Sequence, residues 1–318
     1  MLLNMDIKNL ITLSMIKGIG PSFIKRNLRR IQSDKDCTSL VKEHKPDQLD
    51  YIPVFTKDAE KIIEDCKAEN IEIISILSSD YPHKLLEIND PPSVLYIKGN
   101  KKLLNRCIAI IGTRKSSVLG NRIAEKLGCF FSQDFSICNG LVEGIDEHSI
   151  HTGDSVLPNV VGIISGGLLY KETCTKGHIK IINEVLSSGG LIISEYAPHV
   201  KEDKFSGSKA SRIQAGLSEG LILVQSTIDG GSKYTIATFA KLGRNLGIIH
   251  FPSSTEYNTD AFSANRLIAE KKINGIAEMI GAKNISKLKV NSITVIESKE
   301  DYEIFSKRIS QPTPTLGF

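Results

Sequence analysis

Between about residue 100 and residue 284 the chain alternates short unbroken apolar runs with stretches of helical periodicity. The runs are CIAIIG (107–112), FSICNG (135–140), NVVGIISGG (159–167), GLIISE (190–195), GLILVQS (220–226) and LGIIHFP (246–252). Continuous rather than alternating hydrophobicity is expected of strands buried on both faces of a parallel sheet. Between the first two runs, Ile123, Ala124, Leu127, Phe130 and Phe131 fall on one helical face. Between the last two, Ile236, Phe239, Ala240 and Leu242 do the same. Strand and helix in repeated alternation predict a doubly wound α/β domain built on a mostly parallel sheet. Right-handed crossovers then gather the loops at the strand C-termini on one rim, where open α/β sheets bind ligands.

The first 75 residues follow another pattern, helical and rich in Lys and Ile, with no strong strand before IEIISIL (71–77). From about Lys283 the chain is polar and mixed in charge and closes with QPTPTLGF. That end is long enough for a strand and a helix but not for an independent domain. The expected organisation is a small all-helical domain over 1–75, the α/β domain over 76–284 and a tail over 285–318. A length of 318 residues suits this plan.

Lys and Arg number 40 against 36 Asp and Glu, a net charge of +4, so any anion-binding surface has to be local. The longest uncharged stretch runs from Ser155 to Tyr170 and is broken by Pro158, Gly162, Gly166 and Gly167. It falls short of the ~20 apolar residues a membrane helix needs. The start carries Asp6 and Lys8 inside its apolar run and does not read as a signal peptide. Six cysteines form no C-x-x-C pair, and Cys107 and Cys138 sit in strand-like runs as small core residues. A reduced, cytoplasmic protein is expected.

The loop IIGTRKSSVLG (110–120) has a glycine directly after a buried strand and before a helix, an arrangement in which backbone N–H groups cradle phosphate. It has the spacing of neither the dinucleotide fingerprint nor a Walker A loop. Gly112 is followed by Thr113, Arg114, Lys115 and Ser116, and the two cations favour an anionic ligand. A second glycine-rich turn, STIDGGSKYT (226–235), enters another helix. There Ser232 is expected to cap the helix, Gly230 and Gly231 let backbone approach a phosphate, and Lys233 and Thr235 follow. Both loops read equally as ordinary strand-to-helix turns.

A third segment, KFSGSKASRIQAGLS (204–218), sets Lys204, Lys209 and Arg212 around Phe205. Cations with an interleaved aromatic suit a groove for single-stranded nucleic acid, although the composition is also that of a solvated loop. In KGIGPSFIKRNLRR (17–30) a G-I-G turn enters a basic helix, the helix-hairpin-helix pattern that holds a DNA phosphate without reading bases. Lys25, Arg26, Arg29 and Arg30 share one helical face there, on a DNA-binding or simply a solvated helix.

Catalytic constellations are thin. GIDEHSIHTGD (144–154) brings Asp146, His148 and His151 together in sequence without the ligand spacing of a zinc helix. No acidic pair stands on the glycine loops. The chain does not read as an enzyme, and no metal or cofactor is expected.

Taken in order, these motifs resemble the DprA/Smf family of DNA-processing proteins. The resemblance begins at SSDYPHKLLEINDPPSVLYIKGN (78–100), like the family's Y-P-x-x-L…D-P-P…L-Y…G-N segment. It continues through IAIIGTRKSSVLG (108–120), NGLVEGID (139–146), GGLIISEY (189–196), SRIQAGLS (211–218) and GGSKYTIATFAKLGR (230–244) to NRLI (265–268). The resemblance implies an extended Rossmann-like domain, with a helix-hairpin-helix or SAM-like N-terminal domain. It also implies a homodimer that binds single-stranded DNA in a basic pocket and helps load a RecA-type recombinase. Gly112, Thr113 and Arg114 match the family's phosphate loop, Arg212 the second arginine of R-N-R, and Gly230, Gly231, Ser232 and Thr235 its S-G-S…T loop.

The sequence departs from the family in several places. S-G-L-A is N-G-L-V here (139–142), V-E-A is V-Q-S (224–226), and R-N-R-I-I is A-S-R-I-Q (210–214). One arginine is lost, with Lys209 and Lys233 as possible compensation, and the family's C-terminal winged helix is not expected in so short a tail. The leading expectation is a non-enzymatic single-stranded DNA-binding protein acting in DNA uptake, recombination or a DNA-linked defence role. Two alternatives stand beside it: a neutralising partner of a toxin encoded nearby, and a nucleotide-ligand sensor using the same glycine loops.

Overall fold

The computed structural model of the protein describes residues 2–33, 37–203 and 205–310. Lys204 of the basic segment and the closing QPTPTLGF lie outside the described residues. The helical unit comprises α1 (Leu2–Met15), α2 (Pro21–Arg26), α3 (Leu28–Ser33), α4 (Thr38–His44) and α5 (Ile52–Ala68). Buried Ile52, Ala59 and Cys66 recur every seven residues along α5, one stripe of an amphipathic helix. That stripe packs with α1, whose Leu10, Ile11 and Leu13 are buried in the same core.

The sheet is formed by β1 (Glu72–Ser75), β2 (Val94–Gly99), β3 (Cys107–Gly112), β4 (Ser136–Asn139), β7 (Val160–Ile163), β8 (Leu191–Ser194), β9 (Ser218–Gln225), β10 (Asn245–Ile249) and β11 (Ser292–Ile296). A separate hairpin pairs β5 (His151–Thr152) with β6 (Ser155–Val156). The nine strands lie in the order β1-β2-β8-β7-β4-β3-β9-β10-β11. Only β2 among them runs against the others, pairing antiparallel with both neighbours. Every strand from β3 to β9 that the continuous apolar runs predict is present in the parallel part. All four residues of β4, β7 and β8 are buried, as layers on both faces demand.

The remaining helices are α6 (Val118–Phe131), α7 (Ile145–Ser149), α8 (Tyr170–Thr173), α9 (Lys176–Ser187), α10 (Ser206–Leu217), α11 (Ser232–Phe239), α12 (Ser263–Lys271), α13 (Ile273–Ile280) and α14 (Glu300–Ser310). Among the described residues no helix is long and apolar enough to cross a membrane.

Three segments differ from their sequence reading. The strand at 71–77, placed with the helical domain, is an edge of the main sheet through β1–β2 pairing. The segment after residue 284 adds β11 parallel to β10, and α14 buries Tyr302, Phe305 and Ile309 against the sheet and α6. Ser206–Leu217 of the basic segment form helix α10 rather than a solvated loop, with everything from Arg212 to Leu217 buried. Its buried side sets Ile213 and Leu217 among Ser206, Ala210, Ala215 and Gly216, so its apolar stripe is short.

Candidate functional site

The chain leaves the centre of the sheet in two directions. β3 is followed by β4, then β7 and β8 on one side, whereas β9 is followed by β10 and β11 on the other. Because β3 and β9 are neighbours, the loops at their C-terminal ends diverge and open a crevice between them. Both glycine-rich loops open onto this switch point.

The first loop is fixed from below. Thr113 N–H donates to Gln225 O at 2.8 Å, continuing the β3–β9 ladder, and Ile145 N–H donates to Thr113 O at 3.2 Å. Gly112 is required by packing: a Cβ there would lie 2.5 Å from Ile145 Cγ1 and 2.9 Å from Gln225 O. Ser117 caps α6 by accepting from Gly120 N–H at 3.1 Å. Thr113 and Ser116 are half-buried in this turn, while Arg114 and Lys115 are exposed.

The second loop turns at Thr227–Gly230, where Gly230 N–H donates to Thr227 O at 3.0 Å. A Cβ on Gly230 would stand 2.5 Å from Ser226 Oγ. The helix cap is Gly231, and Ser232, expected as the cap, is instead the first helical residue. Its Oγ is buried with no hydrogen-bond partner among the described residues. Asn265 on α12 secures the strand ends: it accepts from Ser226 N–H at 3.0 Å and donates to Leu223 O, Val224 O and Ile249 O at 3.0 to 3.2 Å.

Between the loops lies a cleft of about 620 Å³. Gly112, Thr113, Arg114 and Lys115 form one side, and Gly231, Ser232 and Thr235 the other. α10 closes the third side through Gly207, Ser208, Ala210, Ser211 and Gln214. Phe205 and Tyr234 also line it and are 58% and 51% exposed, so two aromatic side chains reach solvent at its mouth. Tyr234, Gln214 and the two α10 serines lie within segments the sequence singles out but are not themselves among its expected site residues. Gly230, Ser116 and Lys233 support the loops without lining the cleft; Lys233 Nζ lies 5.7 Å from the Tyr234 ring centroid.

Asp146 stands on the cleft floor. Its Oδ2 accepts from Gly140 N–H at 2.8 Å, whereas His151 Nδ1 meets Glu147 O at 2.7 Å. Burial pushes the Asp146 carboxyl up to about 7, against the opposing pull of the Gly140 and Val142 N–H groups and of Arg114. Burial likewise holds the His178 imidazole below its ordinary range, beside Gly140.

Arg212 and Lys209 do not join the cleft. One helical turn places residues 207, 211 and 214 toward it and residues 209 and 212 on another face of α10. Both line a groove of about 460 Å³ between the helical unit and the α/β domain. There Arg212 is buried, and its guanidinium grips both Glu195 oxygens at 2.7 and 2.6 Å and Asp90 Oδ2 at 2.9 Å. Lys209 Nζ lies 5.9 Å from the Tyr196 ring centroid.

The N-terminal cations are not one presented face either. α2 ends at Arg26 and α3 begins at Leu28, and Lys25 Nζ donates to Leu86 O and Ile88 O at 2.7 and 2.8 Å. Arg30 pairs with Glu43 at 2.6 Å, whereas Arg26 and Arg29 are exposed. The G-I-G turn forms with Gly18 at φ +88°, yet Lys45 Nζ sits 2.7 Å from where its Cβ would be.

Comparison with known proteins bears on this arrangement. The chain is 29% identical over 198 residues to the DNA processing protein DprA of Bacillus subtilis (strain 168), covering 61% of this chain and 66% of that protein. It is 30% identical over 173 residues to DprA of Streptococcus pneumoniae, covering 54% and 60%. The matches thus span just under two thirds of those relatives' own lengths. Protein Smf of Synechocystis is 25% identical over 333 aligned positions, covering 96% and 79%. The fold is shared with the X-ray structure of DNA processing protein A from S. pneumoniae, at a TM-score of 0.58, 22% identity and coverage of 95% and 92%. It is shared too with DNA processing protein A from Helicobacter pylori, a protein described for its single-stranded DNA binding mode. That match has a TM-score of 0.54 and 24% identity and covers 63% of this chain and 88% of the other. With residues 72–286 matching the profile of DNA recombination-mediator protein A, the chain belongs to that family, the DprA/Smf proteins.

Proposed function

We propose that this protein binds single-stranded DNA in the switch-point cleft and serves DNA processing and recombination as a binding protein rather than a catalyst. The observation that carries the reading is the composition of the cleft: two exposed cations on a glycine loop, a helix N-terminus opposite, and two exposed rings at the mouth. Cations and N–H groups meet phosphates, and rings stack on unpaired bases whatever their identity. A duplex hides its base faces, so such a cleft favours single strands. The H. pylori protein's single-stranded DNA binding supports the same reading by kinship.

Arg114 and Lys115 take the central role, with Gly112, Thr113, Gly231, Ser232 and Thr235 shaping the phosphate path. Gly230, Ser116 and Lys233 act by holding the loops. Arg26 and Arg29 offer a secondary contact for a longer strand.

Photo-crosslinking tests the placement. An oligonucleotide carrying 5-iododeoxyuridine is expected to attach to peptides containing Phe205 or Tyr234. Attachment confined to the N-terminal helices would overturn it.

A further inference from the structure

The segment between β1 and β2 carries the Y-P-x-x-L and D-P-P motifs, yet it lines no part of the cleft. Within it, residues 84–90 form a strap across the back of α10. A helix sends residues 207, 211 and 214 to one face and residues 212 and 216 to the opposite one. The first set lines the cleft, and the second meets the strap.

The strap is fastened to α10 at three points. Buried Leu85 and Ile88 lie against Gly216, where a Cβ would stand 2.6 Å from Leu85 Cδ1 and 2.9 Å from Ile88 Cγ2. Buried Arg244 spans the end of α10 and the start of the strap. Its Nη1 donates to Gly216 O and Ser218 O at 2.8 and 2.6 Å, and its Nη2 to Lys84 O and Glu87 Oε2 at 2.9 and 2.6 Å. Carbonyls at a helix C-terminus lack partners within the helix, and a cation there satisfies them. At the far end Arg212 Nε donates to Asp90 O at 3.1 Å.

The helical unit holds the strap from the other side. Lys25 Nζ on α2 donates to Leu86 O and Ile88 O at 2.7 and 2.8 Å, and Ser22 Oγ donates to Asn89 O at 3.4 Å. Backbone that joins no strand ladder needs such side-chain partners for its carbonyls. Lys25 is half-buried in this contact, whereas Arg26 and Arg29 beside it are exposed.

We propose that Lys25 is a positioning residue for the cleft: by pinning the strap it sets how firmly α10 is held, without touching the bound strand. Loss of its two bonds leaves two carbonyls to seek water, so the strap opens more often and α10 opens with it. The cations and glycine loops of the cleft stay in place, so binding weakens and is not lost. The helical unit thereby tunes nucleic-acid binding from behind α10.

The link to DNA rests on the nucleic-acid reading, whereas the hold on α10 is measured in the free protein. Lys25→Met is expected to speed amide hydrogen exchange over residues 206–217 at least about threefold. It is also expected to weaken binding of a thymidine strand of about 30 bases at least about threefold, within the range by which packed networks alter a distant site. The log–log salt slope stays as in the natural protein, since only a lost phosphate contact makes it shallower, by about 0.7. Lys25→Arg, which keeps the charge and the donors, is expected to restore both exchange and affinity. Unchanged exchange over 206–217 in Lys25→Met overturns the relay whatever the DNA shows. Faster exchange with unchanged affinity overturns its link to the cleft, and a shallower slope makes Lys25 a phosphate contact instead. Should Lys25→Met not fold, the natural protein decides. Coupling is reciprocal, so the bound strand is expected to slow exchange over residues 84–90, and unchanged exchange there overturns the relay. No binding by the natural protein overturns the nucleic-acid reading, with exchange in Lys25→Met still deciding the hold on α10.

Discussion

Arg212 and Glu195 form a two-pronged ion pair, with guanidinium nitrogens 2.7 and 2.6 Å from the two carboxylate oxygens, buried where α10 meets the end of β8. A residue that the family motif suggests for DNA contact is here a structural tie. It joins α10 to the end of the sheet and, through Asp90, to the segment before β2.

Arg212→Ala leaves Glu195 buried without its counter-charge. Loss of about 3–5 kcal/mol of stability is expected from uncovering one partner of a buried pair. A chemical-denaturation curve measures it. The folded fraction should retain single-stranded DNA binding, because the cleft lies on another face of α10. Lost binding with unchanged stability would place Arg212 in the DNA path after all.

The separation of these two faces explains much of what the sequence could convey. β3, β4, β7, β8, β9 and β10 were legible because strands buried on both sides are unbroken apolar runs. The glycine loops were legible because backbone that turns sharply beside packed side chains excludes a Cβ, as at Gly112 and Gly230. α10 was not, since only Ile213 and Leu217 are large and apolar on a helix otherwise buried through small residues such as Ser206, Ala210, Ala215 and Gly216. The fate of Arg212 was hidden because its partners are distant in the chain, at Asp90 and Glu195. Lys25 was misplaced for the same reason: the carbonyls it satisfies belong to Leu86 and Ile88.

Phe205 and Tyr234 are more than half exposed, so removing either ring should leave the fold intact. Each Ala substitution is expected to weaken single-stranded DNA binding by about 1–3 kcal/mol, the worth of one base–ring stack. Parallel titrations with single strands and duplex measure this, with the loss expected mainly for single strands.

Asp146 makes stability depend on pH. Its carboxyl is raised from 3.8 to about 7 by burial, so the native state keeps a proton that the unfolded chain releases. The stabilising contribution is complete below pH 3.8 and declines as pH rises toward about 7, by an amount on the order of 4 kcal/mol. Asp146→Asn should flatten that part of a stability–pH profile measured by urea melts. An unchanged slope would show that Asp146 is ionised throughout.

Gln225 ties the two loops by accepting from both Ser117 N–H and Ser117 Oγ–H, at 3.0 and 3.2 Å. A Cβ on Gly120 would come within 2.1 Å of that oxygen. Gly120→Ala is therefore expected to displace Gln225 and cost about 1–3 kcal/mol, as overpacked sites do. Thermal melts of Gly120→Ala alone and with Gln225→Ala check this, the second change relieving part of the loss.

The central claim is that Arg114 and Lys115 hold phosphates of a single strand in the cleft. Fluorescence anisotropy with a labelled strand of about 30 bases across a salt series tests it most directly, comparing the natural protein with Arg114→Ala/Lys115→Ala. The double variant should bind more weakly at low salt, with a log–log salt slope shallower by about 1.4, since each lost phosphate contact removes about 0.7 for a single strand. Affinity and slope identical to those of the natural protein would place the DNA elsewhere on the molecule.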